Sequence, residues 1–300
     1  MTSPILSIPR ATRAIGLAFA AGMFTLAPSA WAQKAYPSPD DAAAALVQSV
    51  ASQDEAALST VLGSDWRKYL PKDGVVMSDV FDFLEAWSKS HRIVPAGDDR
   101  AHLEVGKNGW TLPIPIVKSS AGWRFDTKGT PEELRTRRIG RNELDVVQVL
   151  LAYTDAQQDY AANDRDRDGE RQYARKLIST PGKRDGLYWP TLEGEAPSPL
   201  GPIIADTKPG QAYHGYRYRI LTAQGSHAPD GAKDYVQGGR MTGGYAMVAW
   251  PASYGETGVM SFIVSGAGQV YQKNLGPKTD AVARAMTRFD PDPSWEKTAP

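Results

Sequence analysis

The sequence predicts an α+β protein: helices and an antiparallel, cone-like sheet, followed by a long helix packed on a four-stranded antiparallel meander. Three observations carry this expectation. Apolar side chains recur at helical spacing between residues 42 and 87, then alternate with polar ones between 102 and 126. Residues 139–169 read as an amphipathic helix running into an acidic loop. From His214 onward, short alternating or wholly apolar runs are separated by glycine-rich turns, the pattern of strands.

Composition narrows the function classes. The 300 residues carry 34 basic and 34 acidic side chains, so the chain lacks the basic excess of a phosphate-neutralising nucleic-acid binder. Arg10 and Arg13, the apolar run 14–26 and Ala30-Trp31-Ala32 form the three parts of a secretory signal, with cleavage expected near Ala32. That apolar run falls short of the ~20 residues a membrane span requires. The expected mature protein is therefore periplasmic or secreted, without a membrane span. There is no cysteine, which removes thiol nucleophiles and zinc-thiolate sites.

The first domain is expected over 36–130. Ser38-Pro39-Asp40-Asp41 opens a helix carrying Ala42, Ala45, Leu46 and Val50, and a second helix follows over 55–62. Ser78 is expected to cap a third, with Val80, Phe81, Leu84 and Trp87 on one face. His91 falls at its end. Strands follow at 102–105, 110–117 and 123–126; Pro113 and Pro115 lack N–H donors and place the second at an edge or a bulge.

The second domain is expected over 131–300. Thr130-Pro131-Glu132-Glu133 signals a helix start, and Asn142 is the expected cap of the long helix. Leu144, Val146, Val147, Val149, Leu150, Leu151, Tyr153 and Tyr160 give that helix a broad apolar surface, as for a central element. A short helix is expected over 173–178. The loop 179–213 holds six prolines and five glycines in 35 residues, and loops of that length are usually functional or mobile. Residues 245–250, apolar on both faces, read as a central strand. Strands 259–264 and 270–273, a helical fragment over 280–288 and anchors at Phe289 and Trp295 complete the chain.

Helices followed by a meander ending in Gly122-Trp123-Arg124-Phe125-Asp126 resemble the cystatin-like and nuclear-transport-factor-2-like cones, which enclose a pocket. Here Trp87, His91, Trp110 and Asp126 are its expected lining. The long helix, loop and meander resemble the soluble part of pilins and pseudopilins, but the hydrophobic N-terminal half-helix that packs their filaments is replaced by the first domain. Over nearly the whole mature chain, Arg138-Ile139-Gly140-Arg141-Asn142-Glu143-Leu144, 179–183 with 185–190, Pro199-Leu200-Gly201-Pro202 and 239–244 resemble the exported bacterial family catalogued as domain of unknown function 2950. That resemblance implies export and two parts, and no established activity.

Two places carry chemistry. The acidic loop Asp164-Arg165-Asp166-Arg167-Asp168-Gly169 presents oxygens at alternate positions and a turn glycine, as calcium loops do. Its twelfth position is Arg175 rather than glutamate, so a weak calcium site on Asp164, Asp166, Asp168 and Glu170 stands beside a solvated helix-ending turn. The other place is the long loop, where Asp185, Tyr188, Trp189, Glu193 and Glu195, joined by Trp250 and Tyr254, combine stacking surfaces with carboxylates. Such a surface suits a glycan or peptide ligand, and two carboxylates are the minimum for glycoside hydrolysis. Arg240, within the glycine-rich 238–244, is a candidate anion contact or a turn residue. His91, His102, His214 and His227 lack ligand spacing. No serine-hydrolase elbow, zinc helix, phosphate loop or dinucleotide fingerprint is present. The expected function is non-catalytic binding or envelope assembly with an envelope protein, glycan or peptide. An envelope hydrolase using the loop carboxylates is the alternative.

Overall fold

The computed structural model describes residues 33–69, 77–165, 169–191, 194–201 and 211–298. The expected leader, Asp166, Asp168 and Glu193 lie outside these residues.

Helix α1 (Pro39–Ala51) begins as its sequence dictates: the Ser38 side chain accepts from the Asp41 amide at 3.1 Å, and Pro39 occupies the first turn. Asp54 caps α2 (Glu55–Leu62) by accepting from the amides of Ala56 and Ala57. Helix α3 (Met77–Lys89) differs from expectation in two ways. Ser78 lies inside the helix rather than capping it, and the stripe that packs on the core is Phe83, Ala86 and Trp87. These positions share a face at i, i+3 and i+4, which leaves Phe81 62% exposed.

Strand β1 (His91–Pro95) follows directly, so His91 starts a strand rather than ending a helix. It pairs antiparallel with β2 (Arg100–Val105), where Ala101, Leu103 and Val105 turn inward. Next come β3 (Trp110–Thr111), β4 (Ile116–Ser119) and β5 (Gly122–Phe125), in the order β1-β2-β4-β5 with β3 also on β2. The single alternating strand expected over 110–117 is split at Pro113 and Pro115, which cannot donate to a ladder. A first buried cluster includes Leu46, Leu62, Leu103, Ile116 and Phe125.

Helix α4 (Thr130–Ala161) is continuous over 32 residues, about 48 Å at 1.5 Å per residue. Asn142 is therefore interior and caps nothing; its Nδ2 donates instead to Thr257 O at 2.8 Å. Near the helix start, Arg137 donates through Nη2 to Thr111 Oγ1 at 2.8 Å and pairs with Glu133. One residue on, Arg138 donates to Glu256 O. Val146, Leu150, Tyr153, Ala156, Gln157 and Tyr160 form the buried stripe, whereas Leu144 is 71% exposed.

Strands β6 (Tyr216–Leu221), β7 (Ala223–Gln224), β8 (Lys233–Asp234), β9 (Val236–Gln237), β10 (Arg240–Met241), β11 (Ala246–Pro251), β12 (Ser261–Ser265) and β13 (Val270–Lys273) precede α5 (Thr279–Ala285), β14 (Arg288–Phe289) and β15 (Glu296–Lys297). The expected meander is β6-β11-β12-β13, with β15 added at the β13 edge. Every residue of β11 and β12 is buried. Helix α4 packs on β11, β12 and β13, and α5 on β11. Their side chains build a second buried cluster that also holds Leu187, Trp189, Phe289 and Trp295.

Candidate functional site

Residues 173–178 form no helix; tertiary pairing claims their backbone instead. Gln157, fully buried on α4, brackets Ala174: its Nε2 donates to Ala174 O at 2.9 Å and its Oε1 accepts from Ala174 N at 2.8 Å. Beyond it, Leu187 N donates to Lys176 O, Tyr188 N to Leu177 O, and Ser179 N to Tyr188 O at 2.8 Å. The chain thus folds back on itself, and Gly186 permits the approach. A Cβ there would lie 2.8 Å from both Ile178 C and Ser179 N.

At the tip, Lys183 N donates to Thr180 O across a turn in which Gly182 has φ +76°, a conformation glycine tolerates without strain. Asp185 ties the turn together. It accepts from Thr180 N at 2.8 Å, Thr180 Oγ1 at 2.9 Å and Lys176 Nζ at 2.7 Å. Burial alone would raise its pKa, but the Lys176 and Thr180 donors outweigh that and hold the carboxyl at about 2.

A concavity of about 510 Å³ lies between this turn and the aromatic pair Tyr188 and Trp189, with Lys183 and Arg184 on its wall. Trp189 is 4% exposed, with the Arg184 and Arg165 guanidinium groups 5.4 Å and 5.9 Å from its ring centroid. Arg184 also faces Glu195 at 3.6 Å, and Tyr160 donates its hydroxyl to Arg184 O.

Of the residues proposed from sequence, Asp185, Tyr188 and Trp189 come together, and Glu195 joins through Arg184. Trp250 and Tyr254 do not: Trp250 Nε1 donates to Asp280 Oδ1 at 2.9 Å beside α5, and Tyr254 donates to Asn274. Arg240 lies 3.6 Å from Glu170. Gly238 and Gly239, with φ +56° and +85°, are the two-residue turn joining β9 to β10, and Gly239 O accepts from Arg175. That geometry matches a tight hairpin, the turn alternative to an anion nest. In the acidic loop, Asp164 Oδ2 accepts from Gly169 N at 3.0 Å. No group of three or more His, Asp or Glu side chains placed to hold a metal occurs among the described residues; Asp166 and Asp168 lie outside them. Trp87 and His91 stack at 3.7 Å, but Trp110 is 43% exposed and Asp126 accepts from Gly129 N. His91 and Trp110 both pair with Val105, one on each side of β2. The cations Lys176, Lys183, Arg184 and Arg165 were not singled out from sequence. The adjacent Lys183-Arg184 pair beside Tyr188-Trp189 was the available signal.

Fold and site together define an α+β protein whose long-loop groove combines aromatic rings with cationic side chains. The chain belongs to the family described as "Protein of unknown function (DUF2950)", whose profile matches residues 33–298. No curated protein and no solved structure matches it. No described helix is long and apolar enough to cross a membrane.

Proposed function

We propose that this is an exported, non-catalytic binding protein of the cell envelope, released by cleavage near Ala32 and built of domains 36–130 and 131–300, whose groove takes a glycan or peptide ligand. The observation that carries this reading is the state of Asp185. Three donors occupy its oxygens, and with an acidity near 2 it is ionised at neutral pH, so it has no proton to give a leaving group. Glu195 faces Arg184 at 3.6 Å, an ion pair that ties this carboxylate to the loop. Carboxylates used in this way shape a loop, and they leave Tyr188 and the Lys183-Arg184 turn as the contact surface. Calorimetric titration with envelope glycan and peptide fragments tests it, with the fragments recovered for mass spectrometry. Saturable binding that Tyr188→Ala abolishes, with fragments intact, is the expected outcome. Cleavage that disappears in Asp185→Asn would establish the hydrolase instead, and undiminished binding by Tyr188→Ala would move the site elsewhere.

A further inference from the structure

Two buried donors at the Trp189 wall of this groove have no acceptor among the described residues. Trp189 Nε1 is buried without a hydrogen-bond partner, and so is Nε of Arg165, whose guanidinium lies 5.9 Å from the Trp189 ring. Native interiors rarely leave such groups unsatisfied, and an orphan donor beside a cavity calls for an acceptor from outside. The charges nearby agree. Lys176, Lys183, Arg184 and Arg165 stand against Asp185, Glu195 and Asp159, and these three carboxylates already face Lys176, Arg184 and Arg165 respectively. Lys183, on the exposed turn, forms no ion pair among the described residues. Among the described residues the surplus is cationic, and the planar rings of Tyr188 and Trp189 flank it.

Resting on the groove reading above, we propose that the ligand is an acidic sugar. Its oxyanion accepts from Trp189 Nε1 and the neighbouring cations, while its ring lies against Tyr188. Arg184 is the piece that yields to admit the acceptor, since its side chain is 43% exposed and its carboxylate partner is 3.6 Å away. A carboxylate and a phosphate share this chemistry, and a matched pair of probes separates them.

The test is a set of proton–nitrogen correlation spectra of the full chain, following the indole resonance that Trp189→Phe removes. The probes are a hexuronate, a hexose phosphate, the neutral hexose and inorganic phosphate. Saturable movement of the Trp189 resonance by a hexuronate or hexose phosphate is expected, with affinity about tenfold weaker in Lys183→Ala and no response to the neutral hexose. Which acid acts identifies the oxyanion. Equal movement by the neutral hexose overturns the oxyanion, and equal movement by inorganic phosphate overturns the sugar. If no probe moves the resonance while larger glycan or peptide fragments still bind through Tyr188, this inference fails and the groove reading survives. If nothing binds, both fail. Lys183→Ala, on an exposed turn, keeps the affinity comparison valid should Trp189→Phe not fold.

Discussion

Replacing Asp185 by asparagine removes one charge from a carboxylate that organises the whole 176–188 turn. In the native chain its acidity is displaced from 3.8 to about 2. A tenfold change in acidity is worth about 1.4 kcal/mol, so the full displacement corresponds to about 2.5 kcal/mol before solvent screening. The Asp185 and Lys176 side chains are 25% and 50% exposed, which reduces the contribution to about 1–1.5 kcal/mol. The sign follows from the direction of the displacement. Folding makes this group more acidic, so its stabilisation is fully present above the unfolded value and is lost as pH falls through the folded one. Urea unfolding of wild type and Asp185→Asn, compared from pH about 7 downward, measures it. The variant is expected to be less stable by about 1–1.5 kcal/mol near neutrality, with the gap closing between pH about 4 and about 2. A neutral-pH gap below about 0.3 kcal/mol, or one unchanged in acid, would refute the argument, because the loop would then be held by packing rather than charge.

Three further perturbations read other parts of the architecture. Gln157→Ala leaves both backbone groups of Ala174 buried and unpaired, and chemical unfolding is expected to show a loss of about 2–4 kcal/mol. Gly186→Ala drives a methyl group into the Ile178–Ser179 backbone; a loss of about 1–3 kcal/mol is expected, with faster amide exchange at Ser179 and Tyr188. Burial lowers the His102 pKa, with the nearby Arg100 and Arg137 charges adding to this and Glu133 opposing it. Its neutral form is the one the fold stabilises, so that stability is present above about pH 6.5 and lost as pH falls through the depressed value. His102→Gln should flatten the decline, and a variant whose acid-side profile matches wild type would exclude this role.

Local signals in the sequence located the elements whose boundaries are set locally. Ser38 caps α1 at the expected helix start and α2 spans the expected 55–62, while the central strand expected over 245–250 is observed as Ala246–Pro251, buried along its whole length. Local preference misleads where a distant partner outweighs it. Asn142 looks like a cap by composition, yet Thr257, 115 residues away, takes its side chain and the helix runs through. Residues 173–178 have helical spacing, but Gln157, Met241 and the 187–188 backbone claim their hydrogen bonds. The apolar side chains of α3 occupy more than one stripe, and sequence alone does not say which faces the sheet. At the groove, the aromatic residues and Asp185 were legible because their types advertise stacking and charge. Arg165 was not, because its approach to Trp189 depends on how the chain returns after α4.

Gly140 gives the long helix a mechanical property. It lies between Arg137, which grips Thr111 near the first sheet, and Asn142, which grips Thr257 beside the second. A β-carbon there would meet nothing within 4 Å, so packing does not demand a glycine, and a helix-interior glycine is about 0.5–1 kcal/mol weaker than alanine. Yet the 256–257 segment bridges that turn, since Arg138 donates to Glu256 O on one side of Gly140 and Asn142 to Thr257 O on the other. A load along the helix at its weakest turn is thus shared with this external splint, which spares the buried stripe from Val146 to Tyr160.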